Sequence, residues 1–120
     1  MDHHAAYELA MELAKQAGFQ LKYAASNSET CYYVHPQRAP LLLRLSTHKN
    51  KHAPIGMVPP VARATFSPKD LYLSEDRVRD MMRWAIGSYF INDFKPSRYT
   101  GPKKWRTITN GVAIRELSQD

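Results

Sequence analysis

The residues best suited to chemistry lie in two stretches of the chain, and the first spans residues 26–52. There, tyrosines, serines and histidines are interspersed with cations, and the stretch closes on the basic run His-Lys-Asn-Lys-His. Arginine and lysine can contact phosphate groups, and an exposed tyrosine can stack on a base or a ribose, as in proteins that bind single-stranded nucleic acid. The candidate binding residues are Tyr33, His35, Arg44, Ser46, His48, Lys49 and Lys51.

The second stretch is a basic segment near the C-terminus, in which cations are interleaved with aromatic residues. Gly101 and Pro102 disfavour regular structure within it. Such an arm can follow a phosphate backbone with salt-sensitive affinity, or it can contact an acidic protein surface. The plainer alternative is a solvated arm whose tryptophan packs back onto the domain. The candidate binding residues are Arg98, Lys103, Lys104, Trp105 and Arg106.

The overall charge also favours an anionic partner. The formal net charge is +6 and the isoelectric point is near 9.6. Residues 95–120 hold six basic side chains against two acidic ones, whereas residues 1–94 hold eleven against nine. Most of the excess therefore lies in the last part of the chain, and we expect nucleic acid or an acidic protein surface as the partner.

Patterns for metal binding and catalysis are weaker. His48 and His52 have H-x3-H spacing, but zinc needs three or four convergent ligands, and the chain contains no CxxC or HExxH motif. We therefore predict no metal site and no cofactor. No nucleophile elbow is present either. Glu29 with His35 or His48 could form the acid–base pair of a nuclease, but the patterns as a whole favour binding over turnover.

The size and composition of the chain limit what can position these side chains. At 120 residues, of which 43% are hydrophobic, the chain suits one domain. The single cysteine, Cys31, excludes an intramolecular disulfide, and the N-terminal residues lack the features of a signal peptide. No run approaches the roughly 18 apolar residues of a membrane span. We expect a cytoplasmic protein without membrane association; its oligomeric state is not indicated.

A helix and three strands are predicted in the first half of the chain. Asp2 can cap the helix, in which apolar residues recur at three- and four-residue spacing, and Gly18 can end it. The strands are predicted at 19–23, 30–35 and 41–46. Because residues two apart share a face of a strand, the third strand should direct one set of leucines into the core and the remaining side chains to the other face. The core set is Leu41, Leu43 and Leu45, and the other set is Leu42, Arg44 and Ser46.

The second half is predicted to contain a long irregular segment, a helix and a hairpin. Across residues 49–73, prolines interrupt any helical or strand-like spacing of apolar residues, so we predict a long irregular segment there. Ser74 can cap a helix that should end near Phe94. Asn110-Gly111 suits the turn of a C-terminal β-hairpin. The predicted fold class is therefore α+β: a helix-β-β-β-helix domain over residues 1–94 with a three-stranded antiparallel sheet, and a basic arm and β-hairpin of the same domain over residues 95–120.

This order of elements resembles the double-stranded-RNA-binding-type folds, and more closely the HicA-like toxins. "AMELAKQAGF" at 10–19 is similar to their first helix and the start of their first strand, and "SETCYYVHP" at 28–36 to their second strand. "LLRLSTH" at 42–48 stands in the place of their third strand. The resemblance implies that two helices cover one face of the sheet, and it implies ribonuclease activity.

One position departs from the toxin pattern. In those toxins the catalytic histidine follows the serine that opens the second strand, whereas here Glu29 follows Ser28. A carboxylate does not exchange protons near pH 7 as imidazole does. The pattern of serines and tyrosines before "LRLSTH" also resembles small accessory proteins of phages and mobile elements.

Three functions follow as hypotheses. The first is binding of RNA or single-stranded DNA through a sheet face and the basic arm. The second is a phage-encoded inhibitor, of the anti-CRISPR type, that binds a host complex acting on nucleic acid. The third is a HicA-like ribonuclease. For the first, Tyr33 and His35 are expected to lie beside Arg44 and Ser46 on a face that the helices leave open.

Overall fold

The computed structural model describes residues 1–26, 28–47, 59–70 and 73–91, together with the backbone of residues 105–107 and 113–115. Two helices and six strands follow one another in these ranges. In chain order they are α1 His3–Gln16, β1 Gln20–Ala24, β2 Thr30–Val34, β3 Leu42–Ser46, β4 Ala62–Thr65, α2 Glu75–Ile91, β5 Trp105–Thr107 and β6 Ala113–Arg115. The chain is therefore of the α+β class, as predicted.

The main sheet has four strands in the order β1-β2-β3-β4. The first three strands are antiparallel, whereas β4 runs parallel to β3, so the prediction of a three-stranded, purely antiparallel sheet is wrong. The additional strand lies inside the proline-rich segment 49–73. Pro59, Pro60 and Pro68 flank the run from Val61 to Phe66 and do not interrupt it, so a short edge strand can form there.

Helix α1 begins and ends as its sequence predicts. The Asp2 carboxylate accepts a hydrogen bond from the Ala5 N–H at 2.8 Å, so it caps the first turn. Gly18 has a φ of +91°, which suits the residue that follows a helix end. Small buried side chains at four-residue spacing let the helix approach the sheet closely. These side chains are Ala6, Ala10 and Ala14.

Helix α2 is the more deeply buried helix. The Ser74 hydroxyl accepts a hydrogen bond from the Arg77 N–H at 3.1 Å, which confirms the predicted cap. Apolar residues at three- and four-residue spacing face the core, and Trp84 and Ser88 are buried as well, so α2 is covered on more than one side. Its last described residue is Ile91, and the predicted end at Phe94 lies outside the described residues.

The core lies between the two helices and one face of the sheet, which we call the first face. Leu43 and Leu45 are fully buried in it, and Leu41 packs against it while partly exposed, which confirms the predicted core side of β3. The other strands contribute alternate small and apolar residues to the same layer. The first-face residues of β2 and β4 are Cys31, Tyr33, Ala62 and Ala64.

The two C-terminal strands pair as predicted. Strands β5 and β6 are antiparallel, with Trp105 opposite Arg115 and Thr107 opposite Ala113. The backbone of β6 lies beside α2. The predicted Asn110-Gly111 turn and the arm from residue 95 to residue 104 lie outside the described residues. Across the part of the chain that is described, neither helix has the length and apolarity needed to cross a membrane.

Candidate functional site

The second face of the sheet, which is turned away from α1 and α2, carries the residues that alternate with the core. Strand pairing places tyrosine, arginine and hydroxyl side chains together on it. Among the described strand residues on this face there is no carboxylate. They are Gln20, Tyr23, Thr30, Tyr32, Val34, Leu42, Arg44, Ser46, Arg63 and Thr65.

Four of these residues form a cross-strand row, which we define as Tyr23, Tyr32, Arg44 and Arg63. Each is the register partner of the next across the four strands. The rings of Tyr23 and Tyr32 lie with their centroids 6.1 Å apart. Directly paired residues project from the same face of a sheet. The row therefore carries two aromatic rings at one side and two guanidinium groups at the other.

A row of hydroxyl groups runs beside the cross-strand row. Thr30 pairs with Ser46, and Ser46 pairs with Thr65 across the parallel junction. Hydroxyls both donate and accept hydrogen bonds, and they carry no charge that would repel an anion. The second face thus combines cations, hydroxyls and aromatic rings.

Solvent reaches the second face mainly at its two edges. Tyr23 is 40% exposed on β1 and Arg63 is exposed on β4, whereas Tyr32 and Arg44 in the middle are 2% and 5% exposed. Burial is the main reason that the pKa of Arg44 is lowered; neighbouring Tyr32 opposes the shift, and the like charge of Arg63 adds to it. The expectation that the middle of this face is open is therefore wrong.

The candidate residues of the central strands divide between the two faces. Arg44 and Ser46 lie on the second face as predicted, although both are buried. Tyr33 does not lie beside them: it points into the core, and Tyr32 occupies the place opposite Arg44. The error is one residue in the register, which exchanges the two faces of a strand.

His35 is part of a packed aromatic cluster at the far end of β2. The centroid of its ring lies 5.1 Å from that of Phe19 and 5.0 Å from that of Phe90. The backbone N–H of His35 donates a hydrogen bond to the Tyr89 hydroxyl at 3.1 Å. Nδ1 of its ring accepts a hydrogen bond from the Gln37 N–H. The expected position of His35 beside Arg44 on the second face is therefore wrong, and its contacts are structural.

Glu29 forms an acid–base contact with His4, which is distant in sequence and was not among the expected partners. It lies on the helix side at the start of β2, where Oε1 is 2.5 Å from Nδ1 of His4. The hydrogen bond to Glu29 is the main cause of the raised pKa of His4, and desolvation opposes it. His35 lies six residues away along an extended strand, roughly 20 Å. A Glu29–His35 pair is therefore excluded.

Several candidate residues remain predictions. His48, Lys49, Lys51, Arg98, Lys103 and Lys104 lie outside the described residues. Trp105 and Arg106 lie in β5, of which only the backbone is described. The basic arm therefore keeps its proposed role as an expectation from sequence.

Cys31 behaves as a structural residue. It is fully buried on the first face, and burial is the main cause that raises the pKa of its thiol; a hydrogen bond from Tyr7 opposes the shift. A raised pKa leaves little thiolate near neutral pH. These surroundings do not favour Cys31 as a nucleophile.

The cross-strand row contains three residues that sequence reasoning missed: Tyr23, Tyr32 and Arg63. The alternation in "VARATF" at 61–66 is a signal for a strand with Arg63 on its outer face. In "TCYYV", either set of alternate residues contains one tyrosine, so the pattern alone does not decide which ring faces the helices. Comparisons with protein-family models, with curated proteins and with solved structures found no match for this chain.

Proposed function

We propose that this protein binds single-stranded nucleic acid, RNA or DNA, through the second face of its sheet and the basic arm. The observation that carries the proposal is the cross-strand row, on a face whose described strand residues include no carboxylate. Aromatic rings and cations on a sheet surface are the combination that binds bases and phosphates together.

The exposed ends of the row supply the first contacts. Tyr23 offers a ring for stacking at β1, and Arg63 offers a guanidinium for phosphate at β4. The two strands are three strand spacings apart, about 14 Å. Nucleic acid bound at these two edges would therefore meet an aromatic contact at β1 and a cationic contact at β4.

The buried middle of the row supports the exposed ends. Arg44 lies next to Arg63 in register, so its charge adds to the positive potential at that edge. A partly desolvated cation acts through a lower effective dielectric and is less screened by salt than an exposed one. The net charge of +6 supplies the longer-range attraction.

Fluorescence anisotropy with short labelled RNA and DNA tests the proposal. We expect binding that weakens as salt is raised, and Arg63→Glu should reduce the salt slope by about 0.7, the value for one phosphate contact in a single strand. Tyr23→Ala should weaken binding by about 1–3 kcal/mol if one base stacks on it. Lys103→Glu combined with Lys104→Glu should abolish binding through the arm.

The matched control is Lys15→Glu, which makes the same charge change on α1, on the other side of the sheet. It should weaken binding much less than Arg63→Glu. The proposal fails if no binding is seen at low salt, or if the two variants weaken binding equally. A gel of the oligonucleotides after the titration distinguishes binding from ribonuclease activity, because cleavage would shorten them.

The β1 edge favours a second candidate function, an inhibitor that binds a host protein. All five residues of β1 are exposed, and Leu21 is 53% exposed at the edge of the sheet. An exposed edge strand can accept a strand of another protein. Capture of a partner from nuclease-treated host extract, lost in Leu21→Lys, would support this function. Partners recovered only when nucleic acid is present would count against it.

A further inference from the structure

We propose that His3, His4 and Glu29 form a binding site for a divalent transition metal ion such as Zn²⁺. One ligand atom of each residue lies within 4.8 Å of the other two. Two of the ligands come from the first turn of α1 and the third, Glu29, immediately precedes β2, so the fold brings them together. This site is distinct from the cross-strand row and does not depend on nucleic-acid binding.

The distances suit zinc after small side-chain movements. With Zn–N and Zn–O bonds of about 2.0–2.2 Å, tetrahedral ligand atoms lie roughly 3.3 Å apart. The contact between His4 and Glu29, at 2.5 Å, must open, and no other separation needs to close by more than about 1.5 Å. Because the side chains of His4 and Glu29 are 60% and 31% exposed, rotation about their side-chain bonds can make both adjustments.

The backbone around the ligands is fixed. The Asp2 carboxylate caps α1 through the Ala5 N–H, which sets the positions of both histidines. The Glu29 carbonyl accepts a hydrogen bond from the Thr47 N–H at 3.1 Å, which ties Glu29 to the chain that follows β3. His3 and His4 lie on a helix, and ligands held on a regular element lose less freedom on binding than ligands on a free segment.

Electrostatics at the site permit a cation. The N-terminus of a helix carries partial positive charge and by itself disfavours metal binding. Two carboxylates besides Glu29 surround His4: Asp2, and Glu8 one turn further along α1. Together they offset the helix dipole.

The ligand chemistry points to zinc or cobalt more than to magnesium or calcium. Imidazole nitrogen is a preferred ligand of first-row transition metals, whereas magnesium and calcium favour oxygen. Two histidines and one glutamate are a ligand set that zinc uses when its fourth position holds water. The exposed imidazole of His4 leaves room for that water.

Isothermal titration with Zn²⁺, together with the visible spectrum of the Co²⁺ form, tests the proposal on the full chain. We expect one saturable site per chain and the visible absorption of a four- or five-coordinate cobalt ion. His3→Gln, His4→Gln and Glu29→Gln should each weaken binding by about tenfold or more, because mutations of groups that merely orient ligands already cost about 10- to 100-fold.

Two control variants distinguish this site from other sources of metal affinity. His48→Gln combined with His52→Gln removes the H-x3-H pair, and Glu8→Gln removes a nearby carboxylate that is not a proposed ligand. The double variant should bind Zn²⁺ as the parent does, and Glu8→Gln should weaken binding less than any ligand substitution. Far-ultraviolet circular dichroism checks that each variant is folded.

Two results would overturn the proposal. One is the absence of saturable Zn²⁺ binding by the folded parent chain. The other is binding that is lost in the His48 and His52 double variant and kept in the three ligand variants. Since neither measurement uses nucleic acid, failure of this site and failure of the proposed function are observed separately.

Discussion

The two faces of the four-stranded sheet are made from alternate residues of the same strands, yet they differ in chemistry. The first face packs leucine, alanine, cysteine and tyrosine against both helices. The second face carries the cross-strand row and the hydroxyl groups beside it. Both faces are buried over β2 and β3, so burial alone does not distinguish them. What distinguishes them is whether the buried groups are apolar or polar.

This difference bears on the stability of the fold. Apolar burial on the first face favours folding in proportion to the area removed from water. A buried arginine next to a second arginine does not, because desolvation of the charge and like-charge repulsion both oppose it.

The largest effect that separates the faces is expected at high pH. Burial raises the pKa of Tyr33 to about 12 and also raises the pKa of Tyr7 and Tyr89, all three on the helix side of the sheet. In the unfolded chain these phenols ionise near pH 10. The stability they contribute is complete below about pH 10 and is lost as pH rises toward 12.

Equilibrium unfolding in urea, measured from pH 8 upward, checks this dependence. Tyr33→Phe removes one of the three groups, so its free energy of unfolding should fall less steeply above about pH 10 than that of the parent. Equal slopes for the two proteins would show that the Tyr33 phenol does not keep its proton in the folded state.

A core truncation should separate the faces next most strongly. Leu43 is fully buried on the first face, and Leu43→Ala should lower the free energy of unfolding by about 2–5 kcal/mol because it leaves a cavity. Leu21 is exposed on β1, and Leu21→Ala should change the same quantity by less than about 0.5 kcal/mol. Similar losses in urea unfolding for the two variants would contradict the burial of Leu43 and the exposure of Leu21.

A smaller effect on the free energy of unfolding is expected from removal of the Tyr89 hydroxyl, which joins α2 to the end of the β2–β3 pair. The Tyr89 hydroxyl donates to the Leu41 carbonyl at 2.7 Å and accepts from the His35 N–H at 3.1 Å. Tyr89→Phe leaves both groups without this partner and should cost about 1–3 kcal/mol in thermal or urea unfolding. Tyr23→Phe on the second face is the matched control, and a comparable loss in it would contradict the difference in roles.

The smallest effect on the free energy of unfolding is expected from Arg63→Glu. Unlike the other substitutions, it should stabilise the fold. Arg63→Glu replaces a like-charge cross-strand pair with an opposite-charge pair, which should stabilise the fold by about 0.2–1 kcal/mol. The same substitution should weaken nucleic-acid binding. If urea unfolding shows a loss of stability instead, Arg63 and Arg44 do not repel each other.

Local signals in the sequence predicted most of the individual elements. The caps Asp2 and Ser74, the periodicity of α1 and the alternation of leucines in β3 all correspond to observed structure. The caps depend on hydrogen bonds between residues close in sequence. The helix and strand patterns depend on the spacing of apolar residues, which places them all on one face of the element. The α+β class follows from them.

Features that depend on distant contacts were not predictable in this way. Strand β4 is short and follows prolines, so it has little local signal of its own. It forms by pairing in parallel with β3, and no sequence motif marks that pairing. The tyrosine pair in β2 offered no local reason to choose which ring faces the helices. The contact of His4 with Glu29 joins positions 25 residues apart, through the docking of α1 against the sheet.

Chemical-shift mapping tests the difference between the faces most directly. A ¹⁵N-labelled sample of the chain is titrated with a short single-stranded oligonucleotide at low salt, and the backbone amide shifts are followed. We predict the largest shifts among the described residues at Tyr23 of β1 and Arg63 of β4, with small shifts along the outer surface of α1. Shifts concentrated on α1 and absent from both edge strands would contradict the account.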